Sequence, residues 1–84
     1  MKATVLVRPK QGILDPQGEA VASALGHLGF HVATARVGKV IDLDLEAADE
    51  ASARTEVEKM CEQLLANQLI ESYDVEIHAP GDGA

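Results

Sequence analysis

The chain has 84 residues, 46% hydrophobic and 25% charged, with a net charge of −7. That length makes one domain with a thin core, burying only about 60–65% of the surface its unfolded chain exposes, and its Ala, Val and Leu content excludes a disordered chain. Phe30 and Tyr73 are the only aromatics, too few to stack single-stranded nucleic acid, and no dense Lys/Arg face exists for a duplex, so nucleic acid is excluded as a partner.

The charge is unevenly placed. Residues 1–40 carry Lys2, Arg8, Lys10, Arg36 and Lys39 against only Asp15 and Glu19, whereas the remainder holds Arg54 and Lys59 against twelve carboxylates. A mildly basic half joined to an acidic half suits association between proteins. The longest apolar run falls far short of the roughly 20 residues of a membrane span, and Met1-Lys2 leads straight into strand-like sequence, so a cytoplasmic protein with no membrane segment is expected. Cys61 is the sole cysteine, which excludes an intrachain disulfide or a thiolate metal cluster and points to a reducing compartment.

Residues 2–8 alternate, with Ala3, Val5 and Val7 on one side and Thr4, Leu6 and Arg8 on the other. This predicts a strand ending at Pro9, which has no ladder donor. A basic loop through Lys10, Gln11 and Gly12 leads to Asp15-Pro16, a capping residue followed by one pre-set for the first helical position. Val21, Ala24, Leu25 and Leu28 then form one apolar stripe, and Gly29 supplies a left-handed stop.

The stretch VATARVGKVIDLDLE, residues 32–46, admits two readings. A hairpin at Gly38-Lys39 suits a type II′ turn, but folding back there sets Arg36 and Thr34 beside Ile41 and Leu43, so neither face is a clean core. As one strand its odd positions from Ala33 to Leu45 are apolar apart from Lys39, while Asp42, Asp44 and Glu46 share the other side. Such a strand is roughly 46 Å long in a domain about 30 Å across. Half of it overhangs, and its unpaired backbone calls for a second copy. A bend at Gly38 softens this geometry without returning the overhang to the parent sheet.

A second helix begins near Asp49-Glu50 and runs through Ala53, Val57, Met60, Cys61 and Leu64 towards Asn67, with Cys61 read as a buried core thiol. A last strand, SYDVEIH, places Tyr73, Val75 and Ile77 on one face. The closing APGDGA is expected to be mobile. The predicted fold is therefore α+β, in the order strand, helix, long strand, helix, strand, with the helices on one face of a mainly antiparallel sheet and a dimer through the long middle strand. It becomes ferredoxin-like if that strand splits at Gly38.

Catalytic and metal signals are weak. Gly29 separates His27 from His31, so their spacing does not place them on one helix face. The alternating acids Asp42, Asp44 and Glu46 read as a solvated strand face. Gly38-Lys39 is no phosphate loop, because Ala33 stands where its first Gly is needed and Val40 where Ser or Thr is needed. An acyl-phosphate hydrolase could use Arg8, yet the only Asn, Asn67, is expected at a helix end and not where it could position water. A dimeric small-molecule sensor with Gly-rich ligand loops remains a competing class.

VLVRPKQGILDPQGEAV, LGF at 28–30 and RVGKVIDLDLE stand in that order along the chain. With them the sequence resembles, across residues 2–79, the PurS family, the small subunit of phosphoribosylformylglycinamidine synthase. The resemblance implies a single domain over 1–79 with a flexible tail over 80–84, and a non-catalytic subunit of the fourth step of de novo purine synthesis, where formylglycinamide ribonucleotide, ATP and glutamine give the amidine. It further implies a homodimer or higher homo-oligomer that joins a synthetase (PurL-type) subunit to a glutaminase (PurQ-type) subunit, with ATP and magnesium on the synthetase. No catalytic, cofactor-binding or metal residue is expected on this chain. Arg8, Lys10, Gln11, Arg36, Gly38 and Lys39 are the candidate partner-interface residues; the competing reading is that Pro9, Gly12, Asp15 and Gly18 only shape a turn and the cations stay solvated.

Overall fold

The computed structural model describes residues 1–78, so the expected tail over 80–84 lies outside the described residues. The elements follow as β1 (Lys2–Pro9), α1 (Pro16–His27), β2 (Lys39–Asp44), α2 (Glu50–Met60) continued by a π-helical turn (Cys61–Leu65), and β3 (Glu71–His78). The three strands form one sheet of order β2-β1-β3. β1 is antiparallel to both neighbours, with Val5 opposite Ile41 on one side and Val75 on the other. The α+β expectation with a mainly antiparallel sheet holds.

Alternation along β1 sends Ala3, Val5 and Val7 to the face that α2 covers, where they are buried with Ala53, Val57, Cys61 and Ala66. Ile41, Leu43, Tyr73, Val75 and Ile77 pack around them, partly buried. Asp49 caps α2 by accepting the Ser52 N–H at 2.7 Å, and the four-residue steps Ala53, Val57 and Cys61 turn one narrow stripe to the sheet. The stripe does not extend to Leu64, which is 83% exposed. At that point the helix widens: the Ala66 N–H reaches back five residues to the Cys61 carbonyl at 3.2 Å, and the extra residue in the turn rotates Leu64 outward while bringing Ala66 into the core. Burial, with Glu58 and Glu62 nearby, pushes the Cys61 thiol upward in pKa, which makes it an inert core residue.

The middle segment departs from a full-length strand. Its ladder to β1 runs only from Lys39 opposite Val7 to Asp44 opposite Lys2. Residues 30–38 belong to no strand. The hairpin reading also fails, because residues 33–37 do not pair back onto β2; among the described residues no fourth strand forms and the ferredoxin-like arrangement is absent. The continuous-strand reading is thus realised in its second half, and the first half overhangs without a ladder partner.

Helix α1 follows that overhang. Its predicted start and stop are both present: the Asp15 side chain accepts the Gly18 N–H, and Gly29, at φ 97°, ends it with Phe30 N–H to Leu25 C=O and Gly29 N–H to Gly26 C=O bonds, a Schellman motif. The sheet cover expected from both helices comes from α2, while Val21, Leu28 and Phe30 on or just beyond α1 are exposed. The chain therefore measures 49 × 30 × 14 Å with a radius of gyration of 16.1 Å, against about 12 Å for a compact globule of this length. Its accessible surface, 5974 Å², exceeds the roughly 4,800 Å² of a compact monomer of this mass.

With a core of small side chains, single truncations are felt. Val57→Ala should lower unfolding free energy by about 2–3 kcal/mol in urea denaturation, whereas Leu64→Ala should stay within about 0.5 kcal/mol. A larger loss at Leu64 than at Val57 would contradict the widened turn.

Candidate functional site

The face of the sheet opposite α2 carries Thr4, Leu6 and Arg8 of β1, Val40 and Asp42 of β2, and Ser72, Asp74, Glu76 and His78 of β3. Its two ends differ in charge. At the end where β1 starts, the Thr4 hydroxyl donates to Asp42 at 2.9 Å and accepts from the His78 Nε2–H at 3.0 Å, with Lys2 beside them. At the other end, where β1 gives way to the loop towards α1, a groove of about 670 Å³ opens.

Leu6, Pro9 and Val40 form the apolar part of this groove, which Val7 also borders although its side chain is buried in the core, and Arg8, Lys10, Gln11, Arg36, Gly38, Lys39 and Ser72 complete it. All six residues singled out from the sequence line it, although they come from two segments about 25 residues apart. Four of the seven Lys and Arg residues are gathered here, and the groove lining contains no carboxylate. Arg8 is tied to Asp74 at 3.2 Å just outside, but both side chains are more than half exposed, so that pair contributes about 1 kcal/mol or less.

Asp15 holds the two segments together. Its Oδ1 accepts the Gly18 N–H at 3.0 Å and its Oδ2 accepts the Val37 N–H at 2.8 Å. One carboxylate therefore caps α1 and fixes the chain just before β2. The Val37 N–H first, then that of Gly18, with the Arg36 charge adding to them, holds its carboxyl below the usual aspartate range. Arg36 closes the circuit by donating to the Lys10 carbonyl at 2.7 Å, and the Lys10 N–H donates to the Ile70 carbonyl at 2.8 Å.

Two glycines make this closure sterically feasible. A Cβ on Gly18 would lie 2.2 Å from the Ala35 carbonyl oxygen, and one on Gly38 would lie 2.2 Å from the Val7 carbonyl oxygen. Both obstacles are backbone, which cannot swing aside as a side chain can. The sequence reading recognised Asp15 only as a helix cap and missed its second contact. No local signal reports a bond that spans 22 residues; the unexplained glycine at the third helical position, Gly18, was the one hint. Leu6, Val40 and Ser72 were also missed, because alternation shows only that they face away from the core.

Fold and groove together define a small α+β domain that presents an open cationic groove at one end of a three-stranded antiparallel sheet. Residues 2–79 match the family described as PurS, phosphoribosylformylglycinamidine (FGAM) synthase. The PurS subunit of that synthase from Synechocystis is 51% identical over 76 residues, covering 89% of this chain and 74% of its own. The crystal structure of Bacillus subtilis PurS superposes with a TM-score of 0.83 at 40% identity, covering 93% of this chain and 98% of that one. A chain in the structure of PurLQS from Thermotoga maritima does so at 0.82 and 36% identity, covering 89% and 93%. The chain belongs to the PurS family.

Two outcomes test the geometry of the lock. Because the Asp15 pKa is lowered on folding, its contribution to stability is fully present above the unfolded value and is lost as pH falls through the folded value. Asp15→Asn should therefore lower the melting temperature at neutral pH and flatten its decline in acid; the slope that remains comes in part from Asp49, held low by Ser52. Thermal melts between neutral and strongly acidic pH read both effects, and an unchanged acid profile would count against the Val37 contact. Gly38→Val should cost at least what overpacking costs, about 1–3 kcal/mol, in chemical denaturation, while Gly26→Ala, where a Cβ meets open space, should not destabilise.

Proposed function

We propose that this chain is the small, non-catalytic subunit of a phosphoribosylformylglycinamidine synthase complex. It joins a synthetase (PurL-type) subunit, which carries ATP and magnesium, to a glutaminase (PurQ-type) subunit that releases ammonia, in the cytoplasm. The observation that carries this reading is the likeness in both sequence and fold to a chain of the Thermotoga maritima PurLQS structure. The shape of the protomer supports it: the surplus of surface over a compact monomer is on the scale of one partner's share of a standard interface, about 800 Å². Among the described residues no group of three or more His, Cys, Asp or Glu side chains is placed to hold a metal, and no helix is long and apolar enough to cross a membrane.

In this reading the partner surfaces are two. Arg8, Lys10, Gln11, Arg36, Gly38 and Lys39 face the large subunits, because a cationic groove on a chain of charge −7 steers and orients association. The overhang up to Ala35 and the exposed stripe of α1 face a second copy, which supplies the ladder and the apolar cover that the chain lacks.

Reconstitution tests the assembly role. Omitting this protein from a mixture of synthetase and glutaminase should reduce glutamine-driven amidine formation to background, and adding it back should restore activity; full activity without it would refute the role. Light scattering at micromolar concentration should give a mass of at least two copies, and a stable monomer would refute the dimer.

A further inference from the structure

We infer that the ribbon from Thr34 to Leu45 pairs with its own counterpart in a second copy, antiparallel about a two-fold axis at Val40, so that the overhang of each chain becomes a fourth strand on the other chain's sheet. The inference rests on the dimer proposed above and names the edge and the register through which it forms.

The open edge follows from where the ribbon's backbone groups are already used. Leu45 exchanges hydrogen bonds with Met1, its N–H reaching the Met1 carbonyl at 2.7 Å and its carbonyl accepting from the Met1 nitrogen at 2.8 Å. Bonded and non-bonded pairs alternate along an antiparallel ladder. With Leu43 opposite Ala3, Ile41 opposite Val5 and Lys39 opposite Val7, the odd residues of β2 therefore direct their N–H and C=O groups to β1, and those of Val40, Asp42 and Asp44 point away from the sheet. The overhang keeps the same parity. Val37 gives its N–H to Asp15 at 2.8 Å and the Ala35 carbonyl oxygen lies against Gly18, while Thr34, Arg36 and Gly38 are exposed. No turn or bend interrupts residues 34–44, so the even residues present one continuous edge of free backbone groups, half on the sheet and half beyond it.

The two halves of this edge fit each other. Free groups meet free groups only when even residues face even residues, which places the two-fold axis on a residue, and the side chains decide which. An axis at Lys39 sets that cation against its own copy, one at Gly38 leaves Arg36 without an acid opposite, and one at Ile41 sets Val40 against Asp42. At Val40 the valine, 62% exposed in the single chain, meets its copy, Arg36 lies opposite Asp44 of the second copy, and Ala35 and Val37 lie opposite its Leu45 and Leu43. Opposite charges and apolar pairs across a ladder stabilise it, and like charges oppose it.

That last rule disfavours the other edge of the sheet, β3, whose pairing with its copy brings Asp74 and Glu76 together. A second copy is favoured over a strand of a foreign protein because each chain both contributes an overhang and receives one, which closes the assembly at two. The ladder uses backbone groups along one edge and leaves Arg8, Lys10 and Lys39 on the groove, open to the large subunits.

The test uses the full chain with Val40→Cys. Under oxidised glutathione the thiols at the axis, with Cα atoms about 5.5 Å apart, should join as a disulfide between copies, reducing the glutathione as it forms, and most of the protein should run as a dimer on a non-reducing gel. Lys39→Cys, set off the axis, and the wild type, whose thiol is Cys61 in the core, should stay uncrosslinked. In the unmodified protein the amides of Gly38, Val40, Asp42 and Asp44 should exchange hydrogen about tenfold or more slowly at concentrations where light scattering reports two copies, and should lose that protection on dilution to the single chain. A two-copy wild type in which Val40→Cys forms no disulfide, or Lys39→Cys forms it instead, would overturn the inference and leave the dimer and the assembly role standing; free exchange of those amides would do the same. A wild type that stays a single chain at micromolar concentration would overturn the dimer and the inference together.

Discussion

The carboxylate of Asp15 is the point on which the groove end of this protein turns. Few short-range forces could bring the loop after β1 and the segment before β2 together, because neither contributes to the core and both are largely solvated. A single side chain with two acceptor oxygens does so, one on the α1 start at Gly18 and one on the Val37 N–H. Charge-assisted bonds of this kind are stronger than neutral ones. Once they form, Arg36 lies within reach of the Lys10 carbonyl and the cations of the two segments line one groove.

The rest of the protomer is shaped by how little that end can bury. The core consists of Ala, Val and Cys between one helix and three strands, enough for a sheet with one covered face but not for a second layer. Helix α1 is therefore anchored at its first turn and carries its apolar stripe outward, and the chain leading to β2 overhangs the sheet. In an isolated domain both features would be defects. In the proposed assembly they are the surfaces that association completes, and the acidic sheet end opposite the cationic groove gives that association an orientation.

Much of this was legible in the sequence for identifiable reasons. Alternation at Ala3, Val5 and Val7 and at Tyr73, Val75 and Ile77 reported two strands because a sheet with one buried face imposes period two. Asp15-Pro16 and Gly29 marked both ends of α1 because capping is local chemistry. What stayed hidden depended on position in space. The odd-even pattern over 33–45 is uninterrupted, yet only its second half meets β1, since a sequence pattern does not say where the neighbouring strand ends. Leu64 fits helical spacing with Val57 and Cys61 but is turned out by the widened turn at Cys61–Leu65. The groove residues were identified through the family resemblance and the clustering of charge, and the residues that carry that resemblance, Asp15 to Gly18 and Arg36 to Lys39, prove to be those that lock onto each other or onto β1.

The most direct test of the lock is to follow the amides of Gly18 and Val37 by NMR as the pH is lowered. If one carboxylate holds both, the two amides titrate together, with a single midpoint below the ordinary aspartate range. Separate midpoints, or a Val37 amide indifferent to acid until the chain unfolds, would contradict the account.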